Sequence, residues 1–161
     1  MPSSESIPPQ VPPIPPIPEV AIAILYQGDR FLLQLRDDIP TIRYPGYWAF
    51  FGGHLEPGES PDEAIMRELQ EEISYIPPQL ARYQSYPDDT VIRHVYHAPL
   101  IVGLDALELR EGWDMALLSH EDIERGHCYS TIAHQSRPIG PPHQQILLNF
   151  IQSLPNASLS T

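Results

Sequence analysis

The sequence predicts a single α/β domain, and three patterns predict it. The run EVAIAILY, Glu19 to Tyr26, is short, apolar and β-branched enough for a central strand, and a second run, RFLLQLR, follows after Gln27-Gly28-Asp29 as the other arm of a hairpin. From Pro61 the period changes to that of a helix, with Ile65, Leu69, Ile73 and Ile76 on one apolar stripe. Near the end, HQQILLNFIQSL places Ile146, Leu147, Phe150, Ile151 and Leu154 on another. A chain of 161 residues has the length of one domain with one real core.

At the start of the chain, residues 1–18, MPSSESIPPQVPPIPPIP, carry too much proline for a helix or an inner strand and read as an extended or disordered arm. The domain proper is expected over 19–154. After the hairpin, Ile39 to Gly46 is a proline-interrupted loop, and Tyr47 to Gly53 (YWAFFGG) is a strand whose two glycines allow close approach of a ligand. The helix stops at Pro77-Pro78. Gln79 to Tyr86 and Val91 to Val102 are strands joined by Pro87-Asp88-Asp89. Alternation in the second sets Val91, Arg93 and Val95 against Ile92, His94 and Tyr96, one face to a core and one to a cleft or solvent. His94 and Tyr96 are candidate substrate contacts. A late strand and a short helix, His120 to Arg125, precede a stretch from Gly126 to Pro142 that reads as a long loop, either a lid or an oligomer contact that leaves a homodimer open. The last helix runs from His143 to Leu154, and 155–161 is a loose tail.

Composition narrows the partner. The formal charge is -12 and the chain has no lysine, a balance that disfavours a nucleic-acid polymer or an anionic membrane. A small polyphosphate remains compatible, because divalent cations neutralise both it and an acidic site. The single Cys128 rules out an intrachain disulfide and fits a reducing, cytoplasmic compartment. The first residues have no basic n-region and no unbroken apolar run, so they do not read as a secretory signal. The scattered histidines show no zinc spacing.

The chemistry is concentrated between Gly53 and Tyr75, GHLEPGESPDEAIMRELQEEISY. Glu68, Glu71 and Glu72 stand three and four apart, hence on one helix face, where like charges repel. They border the apolar stripe, so they are partly desolvated. Carboxylates packed in that way either share protons or hold cations, and oxygen ligands suit Mg²⁺, with Mn²⁺ as a substitute. Arg67 sits inside the acid cluster and is expected to clamp Glu59 in the preceding turn.

This stretch resembles the Nudix box, G-x(5)-E-x(7)-R-E-U-x-E-E-x-G-U with U a bulky aliphatic residue. Gly53, Glu59, Arg67, Glu68, Leu69, Glu71 and Glu72 fall in register. Ser74 replaces the last glycine, Tyr75 the final aliphatic residue, and Phe51 stands where a proline is usual before the double glycine. The resemblance implies a Nudix-type α/β/α sandwich with a mixed β-sheet. It implies a metal site of Glu68, Glu71, Glu72 and the Gly52 carbonyl, with Glu68 the first choice for the base and Glu111 as a further acid. Arg36 matches an arginine many members carry near the substrate, and equally reads as a strand-end charge. Trp48 is either a base-stacking platform or core. The implied activity is Mg²⁺-dependent cleavage of a phosphoanhydride bond in a nucleoside diphosphate linked to X, such as a nucleoside triphosphate, oxidised forms included, or ADP-ribose. The rival is a non-catalytic Nudix domain that senses a nucleotide or docks a partner.

Overall fold

The computed structural model describes residues 16–154. The arm up to residue 15 and the tail from 155 lie outside the described residues. Among the described residues, nine strands and three α-helices occur in chain order: β1 (Glu19–Gln27), β2 (Arg30–Leu35), β3 (Trp48–Ala49), β4 (Phe51–His54), α1 (Pro61–Ile73), β5 (Ala81–Pro87), β6 (Ile92–Pro99), β7 (Asp114–Leu118), α2 (His120–Arg125), β8 (His127–Ser130), β9 (Gln135–Pro138) and α3 (Pro141–Ser153). Seven strands form a mixed sheet in which β1 pairs with β6 in parallel and with β2 and β4 antiparallel.

The apolar run of β1 is explained by burial on both faces. Ala21, Ala23 and Leu25 join Phe51, Ala64, Ile65, Leu69 and Ile73 in one core cluster, on the α1 side. Ile22 and Ile24 join Ile123, Ile146, Leu147 and Phe150 in the other, under α2 and α3. The two alanines facing α1 leave room for that helix to lie close to the sheet. The result is an α/β/α sandwich. Among the described residues no helix is long and apolar enough to cross a membrane.

The ends of α1 are set locally. Ser60 and Glu63 form a reciprocal capping box and Pro61 occupies the first turn. Ser74 ends the helix in the left-handed region at φ 54°, its N–H donating to the Gln70 carbonyl. It thus takes the backbone conformation a glycine would take there, at a cost of roughly 1 kcal/mol. Ile76 lies beyond the helix and is exposed, so the apolar stripe ends at Ile73. The strand expected over 47–53 is broken into β3 and β4.

The stretch 126–142 is a hairpin rather than a long loop: β8 and β9 pair antiparallel from His127↔Pro138 to Ser130↔Gln135. Their sequences, HCYS and QSRP, carry no apolar alternation, because the two strands pair only with each other and bury little. The hairpin is nonetheless anchored. Trp48 Nε1 donates to the Cys128 carbonyl at 3.1 Å, and Arg137 Nε donates to the Gly46 carbonyl at 2.7 Å.

Candidate active site

One cleft of about 410 Å³ opens beside the N-terminal half of β1. Four acids, Glu68, Glu71, Glu72 and Glu111, line it together with three arginines, Arg36, Arg43 and Arg93. The acids arrive by different routes. Glu68, Glu71 and Glu72 project from α1. Glu111 is delivered by the segment after Leu107, which docks on the end of α1 through Glu108 N–H to Ile73 O (3.1 Å) and Arg110 N–H to Glu72 O (2.8 Å).

Arg67 is the organiser of this corner. Its Nε and Nη2 hold both oxygens of Glu59 at 2.8 and 2.9 Å, Nη1 reaches Glu68 at 3.0 Å and Glu71 at 3.2 Å, and Nη2 also donates to the His54 carbonyl at 3.1 Å. This bidentate pairing, the clamp expected from the sequence, ties the turn before α1 to the helix. It also holds Glu59 well below the usual carboxylate range, at about 2.

Glu68 and Glu72 are shifted the other way. Burial dominates at both: the Glu68 carboxyl is raised despite Arg67, and Glu72 is pushed up to about 8 despite accepting the Gly52 N–H at 2.8 Å. The neighbouring charges of Glu68 and Glu111 add to the rise at Glu72. In the protein alone this corner therefore has more negative charge than it can stabilise.

Those carboxylates fit a hard divalent cation. Every candidate donor is an oxygen, the set that Mg²⁺ and Mn²⁺ accept. Among the described residues no three acid or imidazole groups already converge on one point. Instead Glu68, Glu71 and Glu72 each hold one oxygen on a protein donor and leave the other without a protein partner. Gly53 shapes the cradle: a Cβ there would stand 2.5 Å from Glu68 Oε1. Gly53→Ala is accordingly expected to fold, since a flexible side-chain end can give way, but to lose roughly tenfold or more in turnover by displacing that carboxylate. Steady-state kinetics beside a thermal melt checks both halves.

Arg36 faces the acids from the end of β2, and its buried Nε has no hydrogen-bond partner. A buried cationic donor left open costs free energy unless a ligand completes it. Three other candidates are not brought to the cleft. Trp48 is fully buried between β2 and the β8–β9 hairpin, its N–H taken by Cys128, so it is core and not a stacking platform. Tyr96 is buried on the α1 face with its hydroxyl on Asp62. His94 shares that face, its ring bridging Glu19 Oε1 at 2.7 Å and Ser85 Oγ at 3.0 Å. The cleft instead takes Arg93, on the other face of β6, and Val91 just before that strand, along with Arg43, Tyr44 and His143. The alternation in β6 had offered Arg93 as readily as His94. His143 gave no sequence signal, being one residue at the start of an apolar helix.

A NUDIX domain family model matches residues 15–127, which contain all four acids, Arg36 and Arg93. The chain belongs to the Nudix family. It is similar to an 8-oxo-dGTP diphosphatase of Proteus vulgaris, 42% identical over 50 residues, which is 31% of this chain and 45% of that protein. It is also similar to the CTP pyrophosphohydrolase of Escherichia coli strain K12, 33% identical over 85 residues, 50% of this chain and 62% of that protein. These matches span less than two thirds of the length of either curated Nudix relative. The NUDIX domain of Shewanella oneidensis NrtR, solved with ADP ribose, superposes with a TM-score of 0.69 at 17% identity, covering 88% of this chain and 91% of that one. That likeness shows the Nudix fold.

Proposed function

We propose that this Nudix domain is a Mg²⁺-dependent pyrophosphohydrolase of small nucleotides, acting in the cytoplasm on a nucleoside triphosphate. The observation that carries the reading is what the cleft brings together: carboxylates desolvated by burial and, near Glu72, an arginine with an open buried donor. A phosphoanhydride has negative oxygens for both, provided cations stand between it and the acids. The names of the curated relatives, an 8-oxo-dGTP diphosphatase and a CTP pyrophosphohydrolase, support the triphosphate class over ADP-ribose.

Glu68, Glu71, Glu72 and Glu111, with the Gly52 carbonyl, are the residues that would hold Mg²⁺ or Mn²⁺. When bound, such ions neutralise phosphate charge and make water a better nucleophile at neutral pH. Arg36 draws the polyphosphate toward the acid wall and completes its own buried donor in doing so. Glu68 takes the proton from the attacking water, lining the cleft with Glu71 and Glu72 while Arg67 fixes its other oxygen. Arg67 does not touch substrate in this scheme. It fixes Glu68 and Glu71 against the Glu59 turn, a positioning task.

The test is a product-identified hydrolysis screen with Mg²⁺ and then Mn²⁺, over canonical and 8-oxo triphosphates, ADP-ribose, nucleotide sugars and dinucleoside polyphosphates. Release of a monophosphate and pyrophosphate from triphosphates, lost on chelation, is the expected result. Tight nucleotide binding with no turnover of any class would replace the enzyme by a nucleotide sensor.

A further inference from the structure

The three arginines of the cleft are not equivalent. Arg36 has no acidic partner within ion-pair distance among the described residues and leaves Nε open, as suits an anion. Arg93 is different. Its side chain is 8% exposed, and Nη1 is paired with Asp88 Oδ2 at 2.7 Å. Asp88 is itself fixed, its other oxygen accepting the Thr90 and Val91 N–H groups at 2.7 and 2.9 Å and the Thr90 hydroxyl at 2.8 Å. The charge of Arg93 is thus already balanced, while Nε and Nη2 donate to no other group among the described residues. A neutralised, oriented fork of N–H donors suits a neutral acceptor better than a second phosphate.

His143 supplies a further donor nearby. Nδ1 accepts the Phe50 N–H at 3.3 Å, and burial, with Arg93 and Arg36 adding to it, holds the ring's proton affinity down to about 3. The ring is therefore neutral with its proton on Nε2, which meets no acceptor among the described residues. Val20, Ile22, Phe50 and Val91 line the same cleft and offer no side-chain hydrogen bond. The register gives the spacing. Val20 pairs with His54 on β4 and with Arg93 on β6, which sets Arg93 two strands, roughly 10 Å, from the strand bearing Gly52 and Gly53. That is room for a sugar between a phosphate at the acids and a base at Arg93.

We propose that Arg93, with His143, is the base-reading element of this cleft, selecting a nucleobase that presents two adjacent acceptors. Cytosine does so with O2 and N3, and guanine with O6 and N7. Adenine sets its N6 amino donor beside each acceptor on those edges, and 8-oxoguanine carries a hydrogen on N7. A bidentate guanidinium to an acceptor pair is the pairing arginine makes with guanine in nucleic-acid recognition. The inference rests on the hydrolase reading and narrows it to a base class.

The experiment is kcat/KM for dCTP, dGTP, dATP and 8-oxo-dGTP with Mg²⁺, on the wild-type chain and on Arg93→Lys, which keeps the charge for Asp88 but loses the planar fork. dCTP or dGTP is expected to exceed dATP and 8-oxo-dGTP by about 10- to 100-fold, and the two favoured bases are told apart by their own ratio. Arg93→Lys should bring that preference within about threefold, through KM rather than kcat. Because a buried arginine is being changed, equilibrium binding of CMP, GMP and AMP to the wild-type protein provides a reading independent of the variant, with AMP expected to be weakest. Equal turnover of all bases, or preference for dATP or 8-oxo-dGTP, overturns the base assignment and leaves the hydrolase standing. Cleavage of none of the four overturns the base assignment and the triphosphate reading together.

Discussion

Glu72→Gln should lose turnover by at least about 100-fold and, in the absence of divalent cation, be more stable than the wild type at pH 8. The two effects have one origin. Glu72 is 4% exposed, and its carboxyl is pushed up to about 8. An unfolded chain releases that proton near the ordinary value of 4.5, so between 4.5 and about 8 the folded state binds more protons than the unfolded one. Stability of the metal-free wild type therefore falls as pH rises through this window. Glutamine has no proton to lose, still offers an oxygen to the Gly52 N–H, and removes the slope. Denaturant titrations in chelator at pH 5 and pH 8, beside Mg²⁺-dependent kinetics, read both effects. Wild-type turnover in the variant would exclude Glu72 from the reaction. An unchanged pH slope would show that the carboxylate is not carrying uncompensated charge.

Gly52→Ala should be lost to folding rather than to chemistry, by about 3 kcal/mol or more. Gly52 sits at φ 142°, and a Cβ there would overlap the Ala21 carbonyl oxygen and stand 2.7 Å from Ile22 Cα. Both contacts are backbone of the central strand, which cannot swing aside as the Glu68 side chain can from Gly53. For a domain of this size the change corresponds to a fall of about 6–12 °C in Tm. A melt within about 2 °C of wild type would mean that β4 does not pair with β1 as described, since that register, Ile22↔Gly52, creates the overlap. The neighbouring glycines thus separate into one that the fold requires and one that the site requires.

The acid corner could be read from the chain because it is local. Glu59, Arg67, Glu68, Glu71 and Glu72 lie within fourteen positions of one turn and one helix, where helical spacing alone determines who meets whom, and the Arg67–Glu59 pair follows from it. The rest of the cleft could not be read that way. It is assembled from the β2 end, the 37–47 loop, β6 and α3, and alternation in β6 divides its residues into two faces without saying which is the cleft. The choice is made by α1, which covers the His94 and Tyr96 face and ties Tyr96 to Asp62. Trp48 misleads for a related reason. An aromatic residue before two glycines looks ligand-facing until β8 arrives to accept its N–H, and β8 announces itself by nothing apolar.

The anchoring of the β8–β9 hairpin has a meaning for how portable this active site is. The match to the family model ends at residue 127, and every carboxylate of the site precedes that point. The segment after it braces the rest of the cleft: Arg137 holds the Gly46 end of the loop that carries Arg43 and Tyr44, and His143 stands in the first turn of α3. Transplanting residues 15–127 onto another C-terminal segment would carry the acid machinery across together with Arg93, and leave His143 and the Arg137 anchor behind. Chimeras joined near Gly126 thus separate what His143 and the hairpin add to recognition from what Arg93 reads without them.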